Sequence, residues 1–326
     1  MYFRKSTISL LAFVFALAGC VGARAAIPAR QKGPWYMEQG RYQEGIADFG
    51  RQLDADPQNW QAAYWMGRYH LALNQPDAAI PLLEKAVRLA PRDAEAGYWL
   101  GVGYWAQGLL EQERIQYQKV LALDPGHLGA NLYLGHNYLD RGELEQAVAQ
   151  YDRVLQEKPT QPDALFHRAA VQARLGRRNE AKHGWKRFLA LYPDGAMALA
   201  AADHLNSWGD FDFRGTRVGR VRVAIGRIAF DHLNEVAPES RPSLGLIAER
   251  LRDASDFKLH VVVYMEGQPE TAKLRSMAVR QAILTQAPGI DPDRLPLSWF
   301  GVAEQVEAGG RTWSLAESVH FVTQFQ

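Results

Sequence analysis

The chain has 326 residues, nearly half of them apolar, with a formal net charge of +1. That length suggests two domains and that composition a packed core rather than disorder. A charge so near zero excludes a polybasic membrane patch and a general nucleic-acid binder. A lone cysteine, Cys20, excludes an internal disulfide.

The chain opens on a short basic stretch, Arg4 and Lys5, followed by an apolar run over residues 8–18. The run is too short to cross a bilayer comfortably and reads as a signal peptide over residues 1–19. It ends in Leu17-Ala18-Gly19-Cys20, which resembles a bacterial lipobox. The resemblance implies cleavage before Cys20 and lipid on its thiol and new amino group. Val21 stands where an inner-membrane retention aspartate would follow, so it further implies a lipid-anchored, periplasm-facing protein of the outer membrane. Residues 20–34 are rich in small residues and proline and read as a flexible tether, with the first helix starting near Pro34.

Beyond the tether the chain repeats. Pro57, Pro91, Pro125, Pro159 and Pro193 recur at a 34-residue spacing. In the units 26–59, 60–93, 94–127, 128–161 and 162–195, position 8 reads Gly33, Gly67, Gly101, Gly135, Ala169. Position 15 reads Gly40, Asn74, Gly108, Gly142, Gly176, and position 20 reads Gly45, Ala79, Glu113, Ala147, Ala181. Small residues at 8 and 20 let two helices approach. Gly or Asn at 15 supplies a left-handed turn, and the proline stops the second helix. This pattern resembles the tetratricopeptide repeat (TPR), which implies an all-α solenoid of helix-turn-helix pairs. Glu113 breaks the pattern: it can turn outward, pair with Arg114 or another donor, or loosen its repeat. Residues 196–206 read as a capping helix that hides the last apolar face, so the solenoid spans 35–206.

Residues 207–217 interrupt the helical period and read as a linker. The period then changes to two. Strands are expected over 218–230, 258–264, 294–299 and 318–325, with helices over 243–254 and 270–286. Pro296 places the third strand at an edge. The β-α-β-α-β-β order, with Phe230, the Leu244-Gly-Leu-Ile-Ala-Glu-Arg-Leu251 helix, Gly289-Ile290, Arg294-Leu295 and Gly301, resembles the OmpA-like C-terminal domain over 218–326. The fold class is therefore an all-α TPR solenoid followed by a small α+β domain.

Two binding sites follow from these resemblances. OmpA-like domains hold peptidoglycan through an acid–arginine clamp on a zwitterion. Glu266 and Arg275, with Arg280 as a register alternative, fall nearest those positions. Here the family aspartate is a longer Glu, the intervening loop is shorter and the usual Asn is missing. In the TPR fold the first helix of each pair lines the concave face. Its residues include Tyr64, Arg68, Tyr98, Trp105, Leu132, His136 and Phe166, where Tyr64, Tyr98, Leu132 and Phe166 share position 5. They either bind an extended or helical segment of an envelope protein or pack against a neighbouring helix or the second domain. No zinc spacing, nucleophile elbow or phosphate loop occurs, so no catalytic residue, metal or cofactor is expected. The expected function is an interaction scaffold or assembly factor in the cell envelope. The alternative is an anchor tying the outer membrane to the wall.

Overall fold

The computed structural model describes residues 29–325; the expected signal peptide, Cys20 and the first part of the expected tether lie outside them. Eleven helices come first: α1 (Ala29–Glu38), α2 (Tyr42–Ala55), α3 (Trp60–Ala72), α4 (Pro76–Leu89), α5 (Ala94–Ala106), α6 (Leu110–Leu123), α7 (Leu128–Asp140), α8 (Leu144–Glu157), α9 (Pro162–Arg174), α10 (Arg178–Leu191) and α11 (Ala196–Ser207). Helix α1 begins at Ala29, ahead of the expected start, with Pro34 inside it. Its backbone is held by tertiary contact, since the buried Tyr69 hydroxyl donates to the Gly33 carbonyl at 2.9 Å.

The periodic markers do what their chemistry requires. Every position-15 residue has positive φ, from 56° at Asn74 to 76° at Gly142. The second helices α2, α4, α6, α8 and α10 each stop two residues short of their proline. Asn59, Asp93 and His127 cap the first helices α3, α5 and α7 by accepting a backbone N–H three residues on. At position 8, a Cβ on Gly101 would lie 2.3 Å from the Tyr117 ring, and one on Gly135 2.7 Å from Tyr151. Ala169 fits the same position because Gly184 stands opposite it. At position 20, Glu113 turns inward and is 1% exposed, whereas Arg114 pairs with Glu111.

Helix α11 buries Ala198, Ala201, Ala202 and Leu205, as a cap must, but it does not end the packed structure. Strands β1 (Phe213–Val218) and β2 (Val221–Gly226) form an antiparallel hairpin over it, with Phe213 and Ala224 in the cap's core. Part of the expected linker is thus a strand, and the expected strand at 218–230 is divided by a turn at Gly219, whose φ is 64°. The sequence of β1, Phe-Arg-Gly-Thr-Arg-Val, hides its strand character. Gly215 weakens it locally, and a Cβ there would meet the Arg222 guanidinium of β2 at 3.0 Å and Leu199 of α11 at 3.4 Å.

The remaining elements are α12 (Arg241–Asp253), β3 (Phe257–Met265), α13 (Pro269–Gln286), β4 (Leu297–Phe300), β5 (Glu304–Ala308), β6 (Arg311–Leu315) and β7 (Glu317–Phe325). The sheet order is β4-β3-β7, with β4 parallel and β7 antiparallel to β3, so β4 is an edge. Helices α12 and α13 share one core with Leu259, Val261 and Val263 of β3. The hairpin β5–β6 adds two strands to those expected from the sequence. Its turn, Gly309-Gly310 with φ of 59° and 70°, is a hairpin signal present in the sequence.

The two halves are bound together. The Ala224 N–H donates to the Pro193 carbonyl at 2.8 Å. Lys186 pairs with Asp210 and Asp212, and Arg250 of α12 with Asp194.

Candidate functional site

Consecutive first helices approach one another, α3 with α5 and α7 with α9, which sets them on the inner side of the solenoid's curve. Partly exposed residues of these helices form a nearly continuous aromatic face. It is built on position 6, which reads Trp65, Trp99, Tyr133 and His167, all partly exposed. The Arg68 guanidinium is held between two of these rings, 4.7 Å from the Trp65 centroid and 4.1 Å from Trp99. It also donates to the Tyr64 hydroxyl at 3.2 Å. Farther along, Tyr133 lies 6.0 Å from Trp105 and 5.9 Å from His136. His136 lies 4.7 Å from His167, and its Nδ1 is 2.8 Å from the Tyr151 hydroxyl.

Three of the residues expected on this face are there: Arg68, Trp105 and His136. Trp105 is 50% exposed and is its most prominent member. The position-5 residues turn instead into the seams between helices. Tyr64 is buried. A Cβ on Gly129 of α7 would come within 2.7 Å of the Tyr98 ring, so that ring lies on the α7 backbone. Leu132 joins the core of the fourth repeat, and Phe166 packs on Phe188 at 5.6 Å. These are the packing alternative. Two adjacent columns of large residues repeat in the sequence, and one residue is about 100° of helix rotation, so periodicity alone cannot tell which column faces out.

The face carries few free charges. A hydrogen bond from His127 holds the Glu95 carboxyl below the usual carboxylate range. Burial pushes the His136 imidazole down to about 4, helped by the neighbouring His167, so it is neutral near pH 7. Burial lowers His167 in the same way. Among the described residues, the side chains of Asp140 and Asp163 make no hydrogen bond or ion pair. The arrangement offers apolar rings, a ring-bracketed guanidinium and two open carboxylates, and none of these is a nucleophile poised beside a base.

The sheet half offers less. Glu266 is exposed at the end of β3. Arg275 is engaged elsewhere: it donates to Glu317 and to Asn234, each at 2.9 Å, and lies over Phe230. Arg280 is partly exposed on α13. A cleft of about 640 Å³ between the cap and the sheet is lined by Arg214, Arg227, Glu317 and His320. Its arginines are already paired, Arg214 with Glu304 and Arg227 with Glu317.

Comparison with known proteins agrees with the helical geometry. A family model described as "Tetratricopeptide repeat" matches residues 31–73 and 66–127, a "TPR repeat" model matches 135–176, and a further "Tetratricopeptide repeat" model matches 163–195. No curated protein matches the chain by sequence. Similar solved structures include MamA, 26% identical, with the match covering 48% of this chain and 92% of that one at a TM-score of 0.46. MamA 41-end from Desulfovibrio magneticus RS-1 is 17% identical, covering 50% and 92% at 0.46. YrrB, described as a TPR protein with an unusual peptide-binding site, is 20% identical, covering 52% and 87% at 0.46. With left-handed turns at every position 15 and the family models across them, the helical half of this chain is a tetratricopeptide-repeat solenoid.

Proposed function

We propose that the protein is an interaction scaffold of the bacterial cell envelope, whose first-helix face receives a segment of a partner protein. One observation carries this reading: the partly exposed aromatic face that runs from Trp99 to His167, with Trp105 half exposed. Large, rigid rings supply contact area at little entropic cost, which is why they anchor protein interfaces. The lipobox at Cys20 supports an outer-membrane anchor ahead of α1, so that the face is held near the membrane surface. The wall-anchoring alternative has less support, because Arg275, the nearer match to the arginine it needs, is engaged by Glu317 and Asn234.

Site-specific photo-crosslinking from position 105 in the native envelope tests the face. Partner adducts are expected from 105 and not from Gln112, which is exposed on the second helix of the same repeat. Tyr133→Ala should remove them without loss of helical content. Equal adducts from both positions would refute the assignment. Fatty-acid labelling of the wild type and Cys20→Ser tests the anchor, with label expected only in the wild type.

A further inference from the structure

Glu113 is a buried acid at the one seam where every other repeat uses Gly or Ala. It sits on α6 against α7, 1% exposed, and its Oε2 accepts a hydrogen bond from Asn137 Nδ2 at 2.8 Å. Asn137 is itself 1% exposed, and its Nδ2 also donates to the Leu110 carbonyl. Two buried polar atoms beside this pair have no partner, Asn137 Oδ1 and the Tyr117 hydroxyl. No cation reaches the site from the helices around it. Arg114 on α6 turns to Glu111 and Glu143, and Arg141 beyond α7 turns to the same two acids. The charged group that acts on Glu113 from α7 is Asp140, which opposes ionisation, and α5 presents the Gly101 backbone and the Tyr98 ring beside Tyr117.

We infer that Glu113 and Asn137 form a proton-operated latch between the third and fourth repeats. With its proton, the carboxyl donates one hydrogen bond to the orphan Asn137 Oδ1 while accepting the one from Nδ2, and both buried groups are satisfied. When the proton leaves to solvent, the bond from Nδ2 remains, but a buried carboxylate with no cation beside it faces the unpaired Asn137 Oδ1, and the α6–α7 seam opens. Burial pushes the Glu113 carboxyl up to about 7, with Asp140 adding to the rise and the Asn137 bond partly offsetting it, so the latch works near neutrality. The sign follows. The folded value lies above the ordinary carboxylate value, so the latch is closed at low pH and its stabilisation is lost as pH rises toward and through about 7.

The seam connects to the aromatic face, and in this the latch rests on the function proposed above. Tyr117, one helical turn from Glu113, touches Tyr133 at 6.2 Å and Tyr98 at 6.0 Å. Asn137 is the next residue after His136 on α7. Opening the seam therefore shifts the face between Trp105 and His136.

The test uses the full chain and two variants. Glu113→Gln keeps a paired amide that cannot titrate. Glu113→Ala restores the residue found at Ala79, Ala147 and Ala181 and serves if glutamine does not fold. Carbon-13 carboxyl NMR should show one glutamate titrating near neutrality that is missing from both variants. Amide exchange of α6 and α7, corrected for intrinsic pH dependence, should be about tenfold faster at pH 8.5 than at pH 6 in the wild type and change by less than about twofold in the variants. Crosslinking from position 105 should follow the same pH profile in the wild type alone. A Glu113 carboxyl that titrates in the ordinary range, or variants with the wild-type exchange profile, would overturn the latch. Exchange that responds to pH while crosslinking does not would overturn its link to the face. If crosslinking fails at every pH, the binding face is refuted, while NMR and exchange still decide the latch.

Discussion

The helical and sheet halves of this molecule are held by different kinds of contact. In the solenoid, a residue's packing partners come from its own 34-residue unit or the next, as with Gly101 under Tyr117. In the sheet half they come from far along the chain. Arg214 reaches Glu304, 90 residues on, and Thr323 donates to the Arg217 carbonyl, 106 residues back. Local contacts repeat in the sequence and can be read there. Distant ones leave no periodic trace. The joint between the halves mixes the two kinds, because α11 is both the cap of a periodic array and the floor beneath β1 and β2.

The largest expected effect comes at that joint. Trp185 is fully buried, stacked on His204 with ring centroids 4.6 Å apart, and close to Trp208. Trp185→Ala should cost about 3–5 kcal/mol. If the halves unfold together, calorimetry will show one transition moved down. If they are independent, the helical transition alone will move.

Arg214→Ala attacks the sheet half. Burial opposes ionisation of Glu304, but the bonds from Arg214 and Ser318 outweigh it and hold the carboxyl below its usual range. Removing the arginine leaves a buried carboxylate without its cation, at a cost of about 3 kcal/mol. The depressed value means that Glu304 stabilises the fold above the ordinary carboxylate range and loses this effect as pH falls through its folded value. Denaturant melts should therefore show the gap between wild type and variant narrowing on acidification. A gap that does not change with pH would refute the ion pair as its source.

Gly101→Ala tests local packing within one repeat. The new methyl meets the Tyr117 ring, and overpacking of about 1–3 kcal/mol is expected in urea melts. Gly101→Ala combined with Tyr117→Leu should recover part of the loss. Trp105→Ala is the smallest change for stability, within about 0.5 kcal/mol, because the side chain is half exposed. Its effect should fall on partner capture instead. A substantial drop in melting temperature would mean that Trp105 serves packing and not binding.

Legibility followed this division. The turns at Gly40, Asn74, Gly108, Gly142 and Gly176 and the stops before each proline were set out by the sequence, since each depends on a backbone preference of one residue. Strands β3 and β7 and helices α12 and α13 also fell where alternation and amphipathicity placed them. Strand β1 did not, because a stretch with Arg214, Gly215 and Arg217 becomes a strand only when β2 and α11 are beside it. The hairpin β5–β6 carries a legible turn signal in Gly309-Gly310, but its strands are too short and polar to show a clear alternation.

The candidate face divides in the same way. Sequence alone determined that large residues recur at positions 5 and 6 of the first helices. Only the tertiary structure decided that Tyr64, Tyr98, Leu132 and Phe166 fill the seams while Trp99, Tyr133 and His167 stay partly exposed beside them and Trp65 lies over Gly33 of α1. That choice depends on how each helix is rotated against its neighbours, and the rotation is fixed by the whole set of contacts in the array rather than by any residue's own preference. The inward turn of Glu113 was decided likewise: its sequence position was known, but the α7 amide that receives it is supplied by another repeat.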